Sequence, residues 1–371
     1  MKYIRLLLLW FVCALFFMLF VITLSLGRLI PSIPLLVICI ITSPPAGTLF
    51  KKRSVRIAMY FARGILVLVL LFAFIMLSFI HSVNEPLYKS DELKSAFIRI
   101  YDSKLGQWPV SYETRSIETE CGEVFVIMSG PEDAPPLLLF HASSMGSWSW
   151  LYNIETLAQN HRTYAVDFIG EPGKSELIYS DKIPQDSKSL DEFYREIIGK
   201  LGITGNYSIA GASFGGYIAV NHAILSPKRI DKIVLLGPMG LTPATSSVNT
   251  KLILYSLFPL KIFENSMLYW AMGDDPKVLN ETEEWFRLVL DGVSRKGPPP
   301  LTFEPEQLKK IRTPVLLVLG SNDKLVGDPE AVKPLAENVL QIKIKVISSA
   351  HLMGCEKAGE VNTLMKEFLE E

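Results

Sequence analysis

The sequence predicts an α/β layer fold over its C-terminal three quarters, preceded by membrane-spanning helices, and three observations carry that prediction. Apolar runs such as LLLF, IVLL and VLLVL are continuous rather than alternating, as in parallel strands covered on both faces. Amphipathic helical stretches separate these runs, the order expected of a parallel sheet. The chain is also divided in composition. Of 371 residues, 49% are apolar and only 20% charged, and the mean hydropathy is +0.28, too apolar for an ordinary soluble domain. Eight Lys or Arg and no acidic residue precede Glu85, which leaves 29 basic and 38 acidic residues from Glu85 onward, so the first part carries +8 and the rest −9.

Residues 1–83 read as a membrane region with two to three transmembrane helices. Leu6 to Leu26 is apolar apart from Thr23 and Ser25 and is long enough to cross about 30 Å of hydrocarbon. Leu29 to Thr42 is shorter and contains Pro31 and Pro34, so it spans or re-enters. Ile57 to Ile80 is a further span, with Arg63 near its start, where a long side chain can snorkel to the interface. The first run exceeds a normal signal-peptide core and lacks a small-x-small cleavage site, which favours a retained anchor. Lys51, Lys52, Arg53 and Arg56 mark a cytoplasmic loop, and with three spans Lys2 and Arg5 are cytoplasmic too. On this reading the protein is a multi-pass membrane protein, in the plasma membrane, with residues 84–371 on its outer side. The basic run is a topology determinant rather than a nucleic-acid patch.

After a polar, helical connector from Asn84 to Leu105, strands are expected near Arg115 to Thr119, Glu123 to Met128, Leu137 to Phe140, Thr163 to Val166, Tyr207 to Ala210, Ile233 to Leu236, Val315 to Leu319 and Ile342 to Ile347. Helices are expected over Leu190 to Leu201, Gly215 to Leu225, Glu330 to Val339 and Glu360 to Glu370. The result is a mostly parallel eight-stranded sheet with helices on both faces. Between about 240 and 305 the rhythm breaks into an insertion bearing Tyr255, Phe258, Phe263, Tyr269, Trp270, Trp285 and Phe286, which reads as a helical cap over a pocket. Cys121 and Cys355 are either disulfide-bonded or two buried free thiols, and no CxxC or Cys/His spacing suggests a metal or redox cofactor.

The strongest local signal is Gly211-Ala212-Ser213-Phe214-Gly215-Gly216, between the strand YSIA and the helix GYIAVNHAIL. A serine lifted onto a tight strand-to-helix turn needs small residues two before and two after it, and Gly211 and Gly215 meet that need. The hydroxyl then sits at a helix N-terminus, where the Phe214 amide faces a developing oxyanion. Such a serine needs a base. Of five histidines, His81 borders the membrane, His161 precedes a strand, His222 lies two turns into the helix and His141 ends a strand; His351 follows the strand IKVIS, at the sheet edge where open α/β sheets place their sites. Asp323, in GSNDKLV after VLLVL, is the matching acid, giving the chain order Ser213, Asp323, His351. The run Gly170 to Ser175 ends like a phosphate loop, but Phe168 stands where that pattern needs glycine and Pro172 removes an amide.

On these motifs, and on the stretches WPVSYETRSIETECGEVFVIMSGPEDAPPLLLFHASS, VDFIGEPGKS, IAGASFGGYIAVNHAILSPKRIDKIVLLGP and the terminal AHLMG, the chain from about residue 85 resembles the α/β-hydrolase superfamily and its esterase-like members. The resemblance implies acyl transfer to water, with Ser213 as nucleophile, His351 as base and Asp323 orienting it. It implies oxyanion amides from Phe214 and from Ala142 or Ser143. Members usually carry His-Gly at that first loop, whereas this chain has His141-Ala142. Serine at position 213 disfavours dehalogenase and epoxide-hydrolase chemistry, leaving esterase, lipase, amidase or peptidase, C–C hydrolase and perhydrolase. The expected function is a membrane-anchored serine esterase for hydrophobic small-molecule acyl substrates, needing no cofactor, with the bilayer as its other partner. The rival is a non-catalytic or signalling protein that uses the same fold to bind a ligand or partner. A transporter is disfavoured, since no acid lies within the spans.

Overall fold

The computed structural model describes residues 86–241 and 261–371, together with Phe16, Phe17, Phe20 and Ile38. Apart from those four residues the predicted spans, and with them the membrane topology, lie outside the described residues, as do Tyr255, Phe258 and the side chain of Phe263. Among the described residues no helix is long and apolar enough to cross a membrane. The compact unit that carries the sheet begins at Leu87.

Nine strands form one sheet: β1 (Tyr112–Thr119), β2 (Gly122–Ser129), β3 (Pro136–Phe140), β4 (Arg162–Val166), β5 (Glu176–Leu177), β6 (Tyr207–Ala212), β7 (Ile230–Leu236), β8 (Val315–Gly320) and β9 (Ile342–Ile347). Their spatial order is β1-β2-β4-β3-β6-β7-β8-β9, with β5 paired to β2. β1, β2 and β4 pair antiparallel, and from β4 through β3 to β9 every pairing is parallel. All eight expected strands are present. β5 is the addition. Two residues have no measurable periodicity, and this strand exists because Gly122, at φ 141°, lets Glu176 approach; a Cβ there would stand 2.0 Å from the Glu176 carbonyl oxygen.

The apolar runs are continuous because both faces are covered. On β3, Leu138 and Phe140 join one core while Leu137 and Leu139 join the other. The first core is closed by α2 (Ser187–Lys200) and α3 (Phe214–Leu225), the second by α1 (Asp91–Leu105) and, C-terminal to the sheet, α7 (Ala358–Glu370). Each helix starts from a local signal. Ser90 Oγ accepts from the Leu93 amide at the head of α1, and Asp186 and Ser189 form a reciprocal capping box at the head of α2. α3 is buried from Phe214 to Ile224, polar Asn221 and His222 included, and has no polar face. Edge strand β9 alternates Ile342, Ile344 with Lys343, Lys345, which blunts an edge that could otherwise pair with another chain.

The described part of the insertion holds two helices, α4 (Lys261–Met272) and α5 (Pro276–Gly292); the chain returns to the sheet at β8, and α6 (Pro329–Ala336) then links β8 to β9. Pro276 at the first helical position and Asp275 accepting from the Lys277 and Val278 amides start α5. The aromatics do not all face a pocket. Trp285 packs edge-on to Phe97 at 4.7 Å and against Trp148 at 5.4 Å, anchoring the insertion to α1. Cys121 and Cys355 are free buried thiols, so the disulfide alternative is not realised.

Candidate active site

Ser213 sits between β6 and α3 at φ 52° and ψ −113°, a strained conformation for a residue with a side chain. Backbone bonds on both sides hold it there: its N–H donates to the Leu236 carbonyl at 2.9 Å and its carbonyl accepts from the Met239 amide at 3.0 Å. The flanking glycines are obligatory. A Cβ on Gly211 would lie 2.4 Å from the Gly215 carbonyl oxygen, and one on Gly215 would lie 2.2 Å from the Phe140 carbonyl oxygen.

His351 arrives in the loop after β9, and its Nδ1 lies 2.7 Å from Asp323 Oδ2 in the loop after β8. The other carboxylate oxygen of Asp323 accepts from the Leu325 and Val326 amides at 2.9 and 3.0 Å. Burial alone would raise the Asp323 pKa, but the charge and hydrogen bond of His351, with the two amides, more than offset it, and the carboxyl is held below the usual carboxylate value. Asp323 is therefore an ionised, fixed acceptor that leaves Nε2 as the free ring nitrogen of His351. The His351 loop is itself braced by Glu356, which accepts from Ser349 Oγ and from the Ala350 amide, both at 2.8 Å. Ser213 and His351 line one cavity of about 50 Å³, with Ala142, Met145, Leu236 and Leu352 among its walls. Among the described hydrogen bonds none joins Ser213 Oγ to His351, a pair that unliganded sites commonly hold long.

The three expected oxyanion residues separate. Phe214 is the first residue of α3, where its N–H has no intrahelical partner. Ala142 lines the cavity beside Ser213. Ser143 does not line it; its hydroxyl donates to Glu171 at 2.9 Å. The adjacent loop is held without the usual glycine. His141 Nε2 accepts from the Phe168 amide at 3.1 Å, while its Nδ1 lies 2.7 Å from the Ala142 carbonyl and 3.2 Å from the Gly146 amide. Burial lowers the pKa of this ring, keeping it neutral in that role. Ser144, at φ 63°, gives its amide to buried Glu171 and its carbonyl accepts from Trp285 Nε1. Glu171 also pairs with Arg295, whose guanidinium lies 4.3 Å over the Phe214 ring. Sequence reasoning missed Glu171, Arg295 and Glu356, because no spacing or motif marks a contact between distant loops.

Two rival constellations are accounted for. His222 and Asp191 form a second buried pair at 2.6 Å, but His222 Nε2 is engaged by Tyr207 Oη at 2.7 Å, so it has no nitrogen left for a nucleophile. In the loop that ends like a phosphate site, the Gly173 amide donates to Tyr88 Oη and the Lys174 amide to Asp167 Oδ2, so these donors are already engaged within the protein.

The model of the alpha/beta hydrolase family matches residues 137–359. In sequence the chain is similar to the uncharacterized carboxylesterase nap of Bacillus subtilis (strain 168), 28% identical over 315 residues that cover 78% of this chain and 96% of the relative. It is similar to carboxylesterase YbfK of the same organism, 29% identical over 286 residues that cover 74% and 93% of the two chains. In structure it is similar to naproxen esterase (carboxylesterase NP) from Bacillus subtilis, with a TM-score of 0.68, 26% identity and coverage of 76% of this chain and 99% of that one.

Proposed function

This chain belongs to the alpha/beta hydrolase family, and on that premise we propose that it is a membrane-anchored carboxylesterase whose nucleophile, base and acid are Ser213, His351 and Asp323. The observation that carries the reading is the His351–Asp323 hydrogen bond of 2.7 Å at the cavity that the strained Ser213 turn also lines. Similarity to two Bacillus carboxylesterases over almost their whole lengths supports ester cleavage as the activity.

Ser213 Oγ attacks the ester carbonyl carbon while His351 Nε2 takes its proton, and the carbonyl electron pair moves onto the oxygen. The amides of Phe214 and Ala142 stabilise that oxyanion, each such donor being worth about 2.7 to 4 kcal/mol. Collapse breaks the bond to the alcohol, which leaves with the proton from His351, and the acyl group stays on Ser213. Water then repeats the sequence: His351 takes its proton, the hydroxide adds to the acyl carbon, and Ser213 departs reprotonated, releasing the acid. Asp323 holds the ring and stabilises the imidazolium in both halves.

Anchoring is supported by the apolar runs Leu6 to Leu26 and Ile57 to Ile80, and an outer location for residues 84–371 by the basic residues Lys51 to Arg56 between them. The test is fluorophosphonate labelling of membrane-bound protein, comparing the native chain with Ser213→Ala and His351→Ala. Labelling of the native chain alone is expected. A folded native protein that stays unlabelled would reject the enzyme reading and favour a ligand-binding role.

A further inference from the structure

We propose that Tyr88, at the start of the compact unit, is a positioning residue for the reaction: through Gly173 and Glu171 it holds the loop that carries Ala142. The inference rests on the esterase reading above, in which that loop supplies an oxyanion amide. It adds a side chain far from the cavity on which kcat depends.

The compact unit begins at Leu87, and its first residues pair with the segment that ends α5. Tyr88 bridges Val293 antiparallel, the Lys89 amide donates to the Gly292 carbonyl and the Ser294 amide donates to the Leu87 carbonyl, both at 2.9 Å. Gly292 permits this approach, since a Cβ there would stand 2.9 Å from Lys89 Cβ. The paired segment runs on into Arg295, which binds the Glu171 carboxylate, and into Lys296, whose amide donates to the Gly170 carbonyl at 2.8 Å. The backbone around Tyr88 is thereby joined to the turn from Gly170 to Gly173.

The Tyr88 side chain reaches the other end of the same turn. Its Oη accepts from the Gly173 amide at 3.0 Å and donates to the Gly173 carbonyl at 3.3 Å, so one phenol serves both backbone groups. Among the described residues neither group has another hydrogen-bond partner. The ring is fixed by Phe97, 5.5 Å away between centroids. Gly173 lies against Asp167, where a Cβ would stand 2.6 Å from Oδ2, so the turn has no room for a side chain there. Within the turn, Glu171 accepts from the Ser143 hydroxyl and the Ser144 amide, next to Ala142 on the cavity wall. Neither Tyr88 nor Glu171 lines that cavity, so both act through the loop. A displaced oxyanion donor slows the chemical step and leaves the rest of substrate binding in place, so kcat carries the effect and KM does not.

The experiment measures kcat and KM of the full chain on p-nitrophenyl butyrate, with rates expressed per serine titrated by a fluorophosphonate. Tyr88→Phe keeps the ring beside Phe97 and removes both bonds to Gly173. Its kcat per titrated serine should fall about three- to tenfold, with KM within about twofold of native. Tyr112→Phe, at an exposed position on edge strand β1, is the control and should keep the native kcat. Because Tyr88 acts through Glu171, adding Tyr88→Phe to Glu171→Ala should lower kcat by less than about twofold more. A merely structural role would reduce the titrated fraction and leave kcat per serine at the native value, and that result overturns the inference. So does a double variant in which the two losses multiply in full. If Tyr88→Phe does not fold, Lys89→Pro, which removes the amide bonded to Gly292, decides in its place by the same loss of kcat or its absence. A native chain that labels and turns over while the variants keep its kcat rejects only this inference, whereas one that neither labels nor cleaves rejects the esterase itself.

Discussion

Arg295 and Glu171, 124 positions apart in the chain, form an ion pair in which the carboxylate is buried and also accepts from the Ser143 hydroxyl and the Ser144 amide. The segment after α5 is thereby tied to the loop that carries Ala142 at the cavity wall. Glu171 does not line the cavity at Ser213 and acts only through that loop. Replacing it with Ala should lower kcat about 10- to 100-fold, short of the full loss of an oxyanion donor, while KM changes little. Steady-state kinetics on a p-nitrophenyl ester would check this, and a rise in KM at unchanged kcat would refute it.

Gly215 is constrained by backbone rather than by a flexible neighbour. Ala at this position would drive its Cβ into the Phe140 carbonyl, and the expected cost is about 1 to 3 kcal/mol of stability or more. Gly205→Ala is the control, since nothing lies within 4 Å of its added Cβ. Chemical denaturation of both variants should show a lowered midpoint for the first alone.

Asp323 supplies both an activity and a pH prediction. Asn at this position would no longer stabilise an imidazolium, and kcat should fall about 10³- to 10⁴-fold with substrate binding retained. Because the folded state depresses the Asp323 pKa, its contribution to stability is complete above the ordinary value of 3.8 and is lost as pH falls through the lower folded value. Denaturation curves between pH 2 and 6 should therefore lose part of their acid limb in Asp323→Asn.

Cys355 should be inert where most thiols react. With its pKa pushed up to about 11 by burial, chiefly, it holds its proton at pH 8, and native protein should leave it unmodified by iodoacetamide. Unfolded protein should alkylate it readily at the same pH, and peptide mass spectrometry distinguishes it from the other three cysteines. A Cys121–Cys355 cross-link in non-reduced peptides would contradict the structure.

Much of this was legible from short windows of chain. The continuous apolar runs marked β3, β6, β7 and β8 as strands covered on both faces, since strands covered on both faces have no polar side to show. The Ser213 turn was legible because only glycine fits at 211 and 215, and the order Ser213, Asp323, His351 followed from which loops end parallel strands. The helices α4 and α5 were less legible, because their aromatics suggested a pocket lining where Trp285 instead anchors the insertion to Phe97.

The sequence by itself determined the order of the eight longer strands, the tight turn at Ser213 and the loops that carry Asp323 and His351, since these depend on side-chain period, allowed backbone angles and residue type over a few positions. Only the tertiary structure decided that Glu171 and Arg295 meet, that Ser143 turns to Glu171 while Ala142 lines the cavity, and that Cys121 and Cys355 stay apart. Those are pairings between loops far apart in the chain. They depend on where the folded sheet carries each loop, and no local period or turn preference encodes that position.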